Sequence, residues 1–337
     1  MQIAVSPLLP PRRGGNSIDL NIYVTLTERV TMEIKRIPDV RPETPDTEVT
    51  LKVAGNVSEI RWSRSAPSIP VRKLDKDHGL DLRTGEVIDY EHITNRAEDT
   101  ASVKRSLHKL RDLINANLTN PETALWVTLT NAKNEVDVAR VYENYRRYWQ
   151  RLRYYLGKRG HPSVEYIAAI EPQGRGAWHF HCLFFFPGKA PFIPNDEMAR
   201  IWGHGFTKTQ SLKGVGNPGV YLTSYLDGLE LAEAVSAGVL DGGRLTEVEG
   251  RDGTRKAVVK GARLRLYPPG LNIYRHSRGI KLQEVSKTTE GEAMAAVGDA
   301  PLTYEKTISI TDEAGEVKNI INYRTYTKGV QDNEQKD

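Results

Sequence analysis

The stretch Trp178-His179-Phe180-His181-Cys182-Leu183-Phe184-Phe185-Phe186 decides how this chain is read. Its length and aromatic content suit a strand, in which successive side chains alternate faces. His179 and His181 then point one way, and Trp178, Phe180, Cys182 and Phe184 point the other. The apolar set marks the face laid against a core, and the two imidazoles share the opposite face, placed to hold a metal. Just upstream, residues 164–171 (VEYIAAIE) read as another strand, joined to the first by the turn Pro172-Gln173-Gly174-Arg175-Gly176-Ala177. A connection this short makes the pair antiparallel and sets Glu171 close to His179.

Further out, residues 124–130 (ALWVTLT) form a third strand, preceded by a helix over 101–117 with Val103, Leu107, Leu110, Leu113 and Ile114 at helical spacing. Residues 136–156 give the strongest helical pattern: Val138, Val141, Tyr145, Tyr148, Leu152 and Leu156 make one stripe, with Arg146, Arg147, Arg151 and Arg153 mostly outside it. Asn195 or Asp196 caps a short helix ending at Gly203, and 205–213 suggests one more strand. Asn217-Pro218 opens a helix running to about Ala234, interrupted at Gly228. It carries Tyr221 and Tyr225, one turn apart. These elements predict an α+β fold, a central antiparallel sheet with flanking helices, over residues 96–282. Residues 1–95 show little periodicity beyond one or two strands within 47–60, and residues 283–337 read as an acidic extension.

Composition narrows the function classes. The 337 residues carry a net charge of +4 and a single cysteine, Cys182, so no intramolecular disulfide can form, which fits a reducing cytoplasm. No run of apolar residues is long enough to span a bilayer. The charge is unevenly spread. Residues 144–160 hold six Lys/Arg and no acid, and 251–281 hold nine Lys/Arg and one acid. Basic segments interleaved with Tyr and Trp suit a phosphate backbone with stacked bases, although the same pattern also describes solvated faces with snorkelling arginines.

Two histidines with an acidic third ligand suit Mg²⁺ or Mn²⁺, and Glu171 is the natural candidate, with Gln173 or a distant residue as the alternative. A structural zinc site is not expected, since there is no CxxC or HExxH pattern. Tyrosine is a weak nucleophile at neutral pH, but it can form a phosphodiester when the phosphate is held in line and the developing charge is neutralised.

Taken together, residues 101–281 resemble the HUH endonucleases that initiate rolling-circle replication, in particular the replication-associated proteins grouped with filamentous-phage gene II protein. The resemblance is carried by ALWVTLT, by Glu171-Pro-Gln-Gly-Arg-Gly-Ala-Trp-His179-Phe-His181, by Ile201-Trp202-Gly203-His204-Gly205, by Tyr221-x-x-x-Tyr225 and by Tyr274-Arg275-His276-Ser277-Arg278-Gly279. It implies a sheet of the HUH type, metal ligation by His179, His181 and Glu171, and Tyr221 and Tyr225 as nucleophiles. The expected partner is single-stranded or supercoiled origin DNA, with host polymerase and helicase. Arg146, Arg147, Arg151, Arg175 and Arg278 are the candidate DNA contacts. The family usually has lysine before the second tyrosine, where this chain has Ser224, so Thr223 and Ser224 are candidates for hydroxyl contacts instead. No Walker A pattern is present, so no fused helicase is expected. Alternatives are a conjugative relaxase, a class that commonly carries its tyrosine before the histidine strand, or a single-strand transposase, and a non-catalytic origin-binding protein of the same fold.

Overall fold

The computed structural model describes residues 33–65, 71–82, 85–90, 100–174, 176–213, 217–238, 244–249, 255–268, 270–312 and 314–329; for some of these, Tyr221 and Tyr225 among them, only the main chain is described. The described chain forms two compact units. The smaller is a three-stranded antiparallel sheet of β4 (Val71–Lys73), β5 (His78–Asp81) and β6 (Val87–Asp89).

The larger unit is organised on a five-stranded antiparallel sheet. Its strands are β7 (Ala124–Thr130), β8 (Glu165–Pro172), β9 (Trp178–Phe185), β10 (Thr207–Gln210) and β14 (Tyr274–His276), in the order β10-β7-β9-β8-β14. The histidine strand β9 is therefore central, and both its edges are paired. Helix α2 (Val138–Gly157) lies on one face. Its Tyr145 ring packs 4.6 Å from Phe180, and Trp149 stacks on Phe184 at 5.8 Å. Burying a large apolar side chain of this kind contributes roughly 1.5–3 kcal/mol. Asp137 caps α2 by accepting from the amides of Ala139 and Arg140.

The opposite face is covered by α1 (Thr100–Asn117) and α4 (Pro218–Asp227). Leu110 and Ile114 of α1 meet Leu222 and Leu226 of α4 over Trp126 and His181, around a small cavity. The helices approach closely at Gly219, where a Cβ would stand 2.5 Å from the Arg111 carbonyl oxygen. Asn115, buried in α1, accepts from the Gly219 amide at 2.9 Å and donates to Asn217 at 3.1 Å; Asn217 in turn caps α4 by accepting from Val220 N–H.

A second, six-stranded antiparallel sheet joins both ends of the chain: β1 (Glu33–Ile37), β2 (Glu48–Ala54) and β3 (Val57–Ser63) with β15 (Glu284–Thr289), β16 (Leu302–Thr311) and β17 (Val317–Thr327), in the order β1-β16-β17-β3-β2-β15. Helix α6 (Glu290–Val297) packs on one face over Val49, Leu51, Ile60 and Tyr326, and buried Arg324 grips Glu290 with two bonds of 2.6 Å. A small sheet of β11 (Gly228–Glu230), β12 (Arg244–Glu249) and β13 (Arg255–Lys260), with α5 (Leu231–Ser236), follows α4.

Two expectations change in detail. Helix α3 (Asn195–Trp202) starts after Pro194 without a side-chain cap, and Asp196 and Glu197 in its first turn complement the dipole instead. The tyrosine helix stops at Asp227, because Gly228–Glu230 leaves it to pair with Val258–Lys260, a contact made from far along the chain. No helix of the described residues is long and apolar enough to cross a membrane.

Replacing Asn115 with Ala strips a buried partner from the α4 N-terminus, and should destabilise the protein by about 1–3 kcal/mol. Urea unfolding of the full chain should show this as a lowered midpoint with an unchanged slope.

Candidate active site

Register fixes what surrounds the histidines. His179 stands opposite Glu171 on β8 and Thr130 on β7, and His181 stands opposite Ala169 and Thr128. Paired residues share a face, so both histidines, Glu171 and both threonines lie on the side covered by α1 and α4. Ala169 places little between Glu171 and His181, and the Glu171 carboxylate bonds directly to His181 Nε2. Thr128 Oγ1 lies 3.4 Å from His181 Nδ1. The other face of β9 is dry core. Burial pushes the Cys182 thiol up, keeping it protonated and removing it from consideration as ligand or nucleophile.

The end of the sheet beside His179 is locked by neighbouring segments. Trp202 of α3 donates its indole N–H to the Thr130 carbonyl at 3.0 Å, and Asn131 donates to the Trp178 carbonyl at 3.1 Å. Gly205 backs onto the same corner, where a Cβ would stand 2.2 Å from the Thr130 carbonyl oxygen. The Ile201–Gly205 segment is thus a brace for the strand end that carries His179.

Glu171 is buried, and an isolated carboxylate there would be costly. Arg263, equally buried in a 3₁₀ turn over Ala262–Leu266, supplies the compensating charge at 2.5 Å. The same guanidinium donates to the carbonyls of Pro172 at 2.6 Å and Gly228 at 2.8 Å. It therefore ties β8 to the residue that ends α4. Tyr267 adds a parallel link, donating to the Ile170 carbonyl at 2.8 Å. Burial works to raise the Glu171 carboxyl, but the charge and hydrogen bond of His181 and the charge of Arg263 outweigh it and hold the group below its ordinary range.

Nothing in the sequence reading singled out Arg263. Its signal is the alternation Ala262-Arg-Leu-Arg-Leu266, which as a strand would place both arginines in solvent; the 3₁₀ turn buries the first and leaves Arg265 exposed.

The remaining site candidates are dispersed. Tyr221 and Tyr225 stand one turn apart on α4, the helix over the histidine face; their side chains lie outside the described residues, as does Arg175 altogether. The Thr223 hydroxyl donates to the Gly219 carbonyl within its own helix at 2.7 Å. Arg146 and Arg147 are exposed on α2, across the sheet from the histidines, and both bond Glu143. Arg151 is occupied, donating to the Ile201 and Trp202 carbonyls at the end of α3, each at 2.8 Å. Arg278 is exposed just beyond β14. Among the described residues, no three His, Cys, Asp or Glu side chains stand in metal-binding geometry, and Glu171 bonds His181 directly.

Residues 124–229 match the model of a family of replication-associated proteins, that of ORF2 and the phage gene II protein. Over that segment the chain is similar to this family. The match runs from the first residue of β7 to just past α4, and so contains Glu171, both histidines and both tyrosines. Helix α1 and Arg263, which hold the matched segment together from outside, lie beyond it. No curated protein and no solved structure matches the chain.

Arg263→Met should cost about 3–5 kcal/mol, because it leaves Glu171 as an uncompensated buried charge. Adding Glu171→Gln should recover part of that loss. A double-mutant cycle from urea unfolding measures the coupling, and strictly additive effects would show the pair to be energetically independent.

Proposed function

We propose that this chain initiates rolling-circle replication by nicking one DNA strand at an origin through tyrosine attack. The observation that carries the reading is that α4, with Tyr221 and Tyr225, packs its Leu222 and Leu226 over the sheet face that presents His181. The similarity of residues 124–229 to the replication-associated family supplies the replication context.

In the proposed reaction the phenolate oxygen of Tyr221 or Tyr225 attacks the scissile phosphorus. The bond from phosphorus to the 3′ oxygen breaks, that oxygen takes up a proton, and a 5′-phosphotyrosine is left beside a free 3′-OH. The phosphodiester energy is kept in the tyrosine ester, so the reverse attack by a 3′-OH rejoins DNA without ATP. A second tyrosine one turn away allows a second cut while the first still holds its strand.

His179, His181 and Glu171 would hold a divalent cation, Mg²⁺ or Mn²⁺, whose contribution when bound is to polarise non-bridging phosphate oxygens. The fit rests on donor chemistry: two imidazoles and a carboxylate kept ionised arise from one hairpin and face one side. The role of Arg263 and Tyr267 is to keep α4 seated against β8 while DNA enters.

Of the proposed DNA contacts, Arg146, Arg147, Arg151 and Arg278 are exposed and accessible to phosphates, although two nitrogens of Arg151 already donate to carbonyls of α3. The partners proposed are single-stranded or supercoiled origin DNA and, in the cytoplasm, a host polymerase extending the 3′ end and a helicase.

Wild-type protein with Mn²⁺ and an origin oligonucleotide should form an SDS-resistant adduct on the 5′ side of the new end. Tyr221→Phe together with Tyr225→Phe should form none while binding DNA normally; either single variant retains partial cleavage where the two substitute for each other. Mass spectrometry of the trapped peptide locates the link, and an adduct outside α4 would overturn the assignment.

His179→Ala with His181→Ala should abolish Mn²⁺ binding in calorimetric titration without loss of fold. Unchanged binding would move the metal elsewhere.

A further inference from the structure

The six-stranded sheet has one face under α6 and one open face, and the open face is chemically distinctive. Alternation places Arg61, Tyr323 and Lys306 in one cross-strand row on β3, β17 and β16, with Lys52, Thr325 and Tyr304 in the next. Tyr304 and Tyr323 are 51% and 36% exposed, on adjacent strands and diagonal to one another. The surface forms one wall of a groove of about 620 Å³, whose other wall is His108 and Arg111 of α1.

Charge is segregated between the two faces. Four acids of the C-terminal segment among the described residues are paired on the α6 side or at the hairpin: Glu290 is held by Arg324, Glu305 by Arg41, and Asp312 and Glu316 by Lys318. On the open side the carboxylates are Glu48, Glu59 and Asp112, each already bonded to Lys287, Lys52 or Arg111. Among the described residues Arg36, Arg61 and Lys306 have no carboxylate partner, so the face carries an excess of positive charge beside two exposed phenol rings.

We propose that this groove is a single-stranded DNA-binding surface, separate from the tyrosine and histidine site. Unpaired cations suit a phosphate backbone, and rings standing up from a sheet offer platforms on which unpaired bases stack; a duplex keeps its bases stacked internally and cannot use them. The choice of DNA rests on the replication reading of residues 124–229, but the groove lies outside that segment and its binding needs no cleavage. Because Arg111 of α1 meets α4 at Gly219, a strand lying in the groove runs beside the helix that supports the tyrosine helix.

Fluorescence anisotropy of full-length protein with a labelled oligothymidylate, in EDTA, tests this without involving the nicking chemistry. Arg61→Gln with Lys306→Gln should weaken binding and flatten the log–log salt slope by about 1.4, since each single-strand phosphate contact contributes about 0.7. Tyr304→Ala with Tyr323→Ala should weaken binding about tenfold or more and leave the slope unchanged. All four positions are on the open face, so melting temperatures near wild type should accompany both results. Unchanged affinity and slope in both variants overturn the proposal, whatever the nicking activity. The expected losses in both variants, found with a wild-type protein that fails to nick, would support the groove while removing the proposed reaction.

Discussion

Strand β9 is paired on both edges, so its register alone decides what meets on either side of the main sheet. One side must be apolar, because α2 lies on it with Tyr145, Tyr148 and Trp149. The period of two then commits His179 and His181 to the other side. A slip of one residue would exchange the two sets and bury both imidazoles under α2. The core and the candidate site are therefore held in place by the same constraint.

The histidine side is not left open to solvent; α1 and α4 cover it. Helix α4 has only ten residues, too few to be stable alone, and it is fixed at both ends by groups from other segments. Asn115 holds the N-terminus, while Arg263 and Tyr267 hold the last turn. Arg263 also neutralises Glu171, so one guanidinium settles the charge of a buried carboxylate and the seating of the helix above it. Such a contact favours one arrangement of strand and helix over others, which matters more for positioning than for net stability.

The second sheet follows the same logic with a different outcome. Segments 33–63 and 284–327 are far apart in sequence yet alternate in register, so that one face closes under α6 and the other collects Arg61, Lys306, Tyr304 and Tyr323. The acidic character of residues 283–337 does not describe the surface that results, because Glu290, Glu305, Asp312 and Glu316 are held in ion pairs at the covered face and at the hairpin.

The sequence by itself determined the strands β7, β8 and β9, the helices α1 and α2, and the pairing of Glu171 with His179, because periodicity and a short turn are local and leave one arrangement. It also determined that Tyr221 and Tyr225 stand one helical turn apart. Only the tertiary structure decided that α4 ends at Asp227, that exposed Arg151 caps α3, that α2 lies across the sheet from the histidines, and that Arg263 meets Glu171. Each of those depends on partners separated by tens of residues. Pattern along the chain reports which side of an element is apolar, but not which distant segment will cover it.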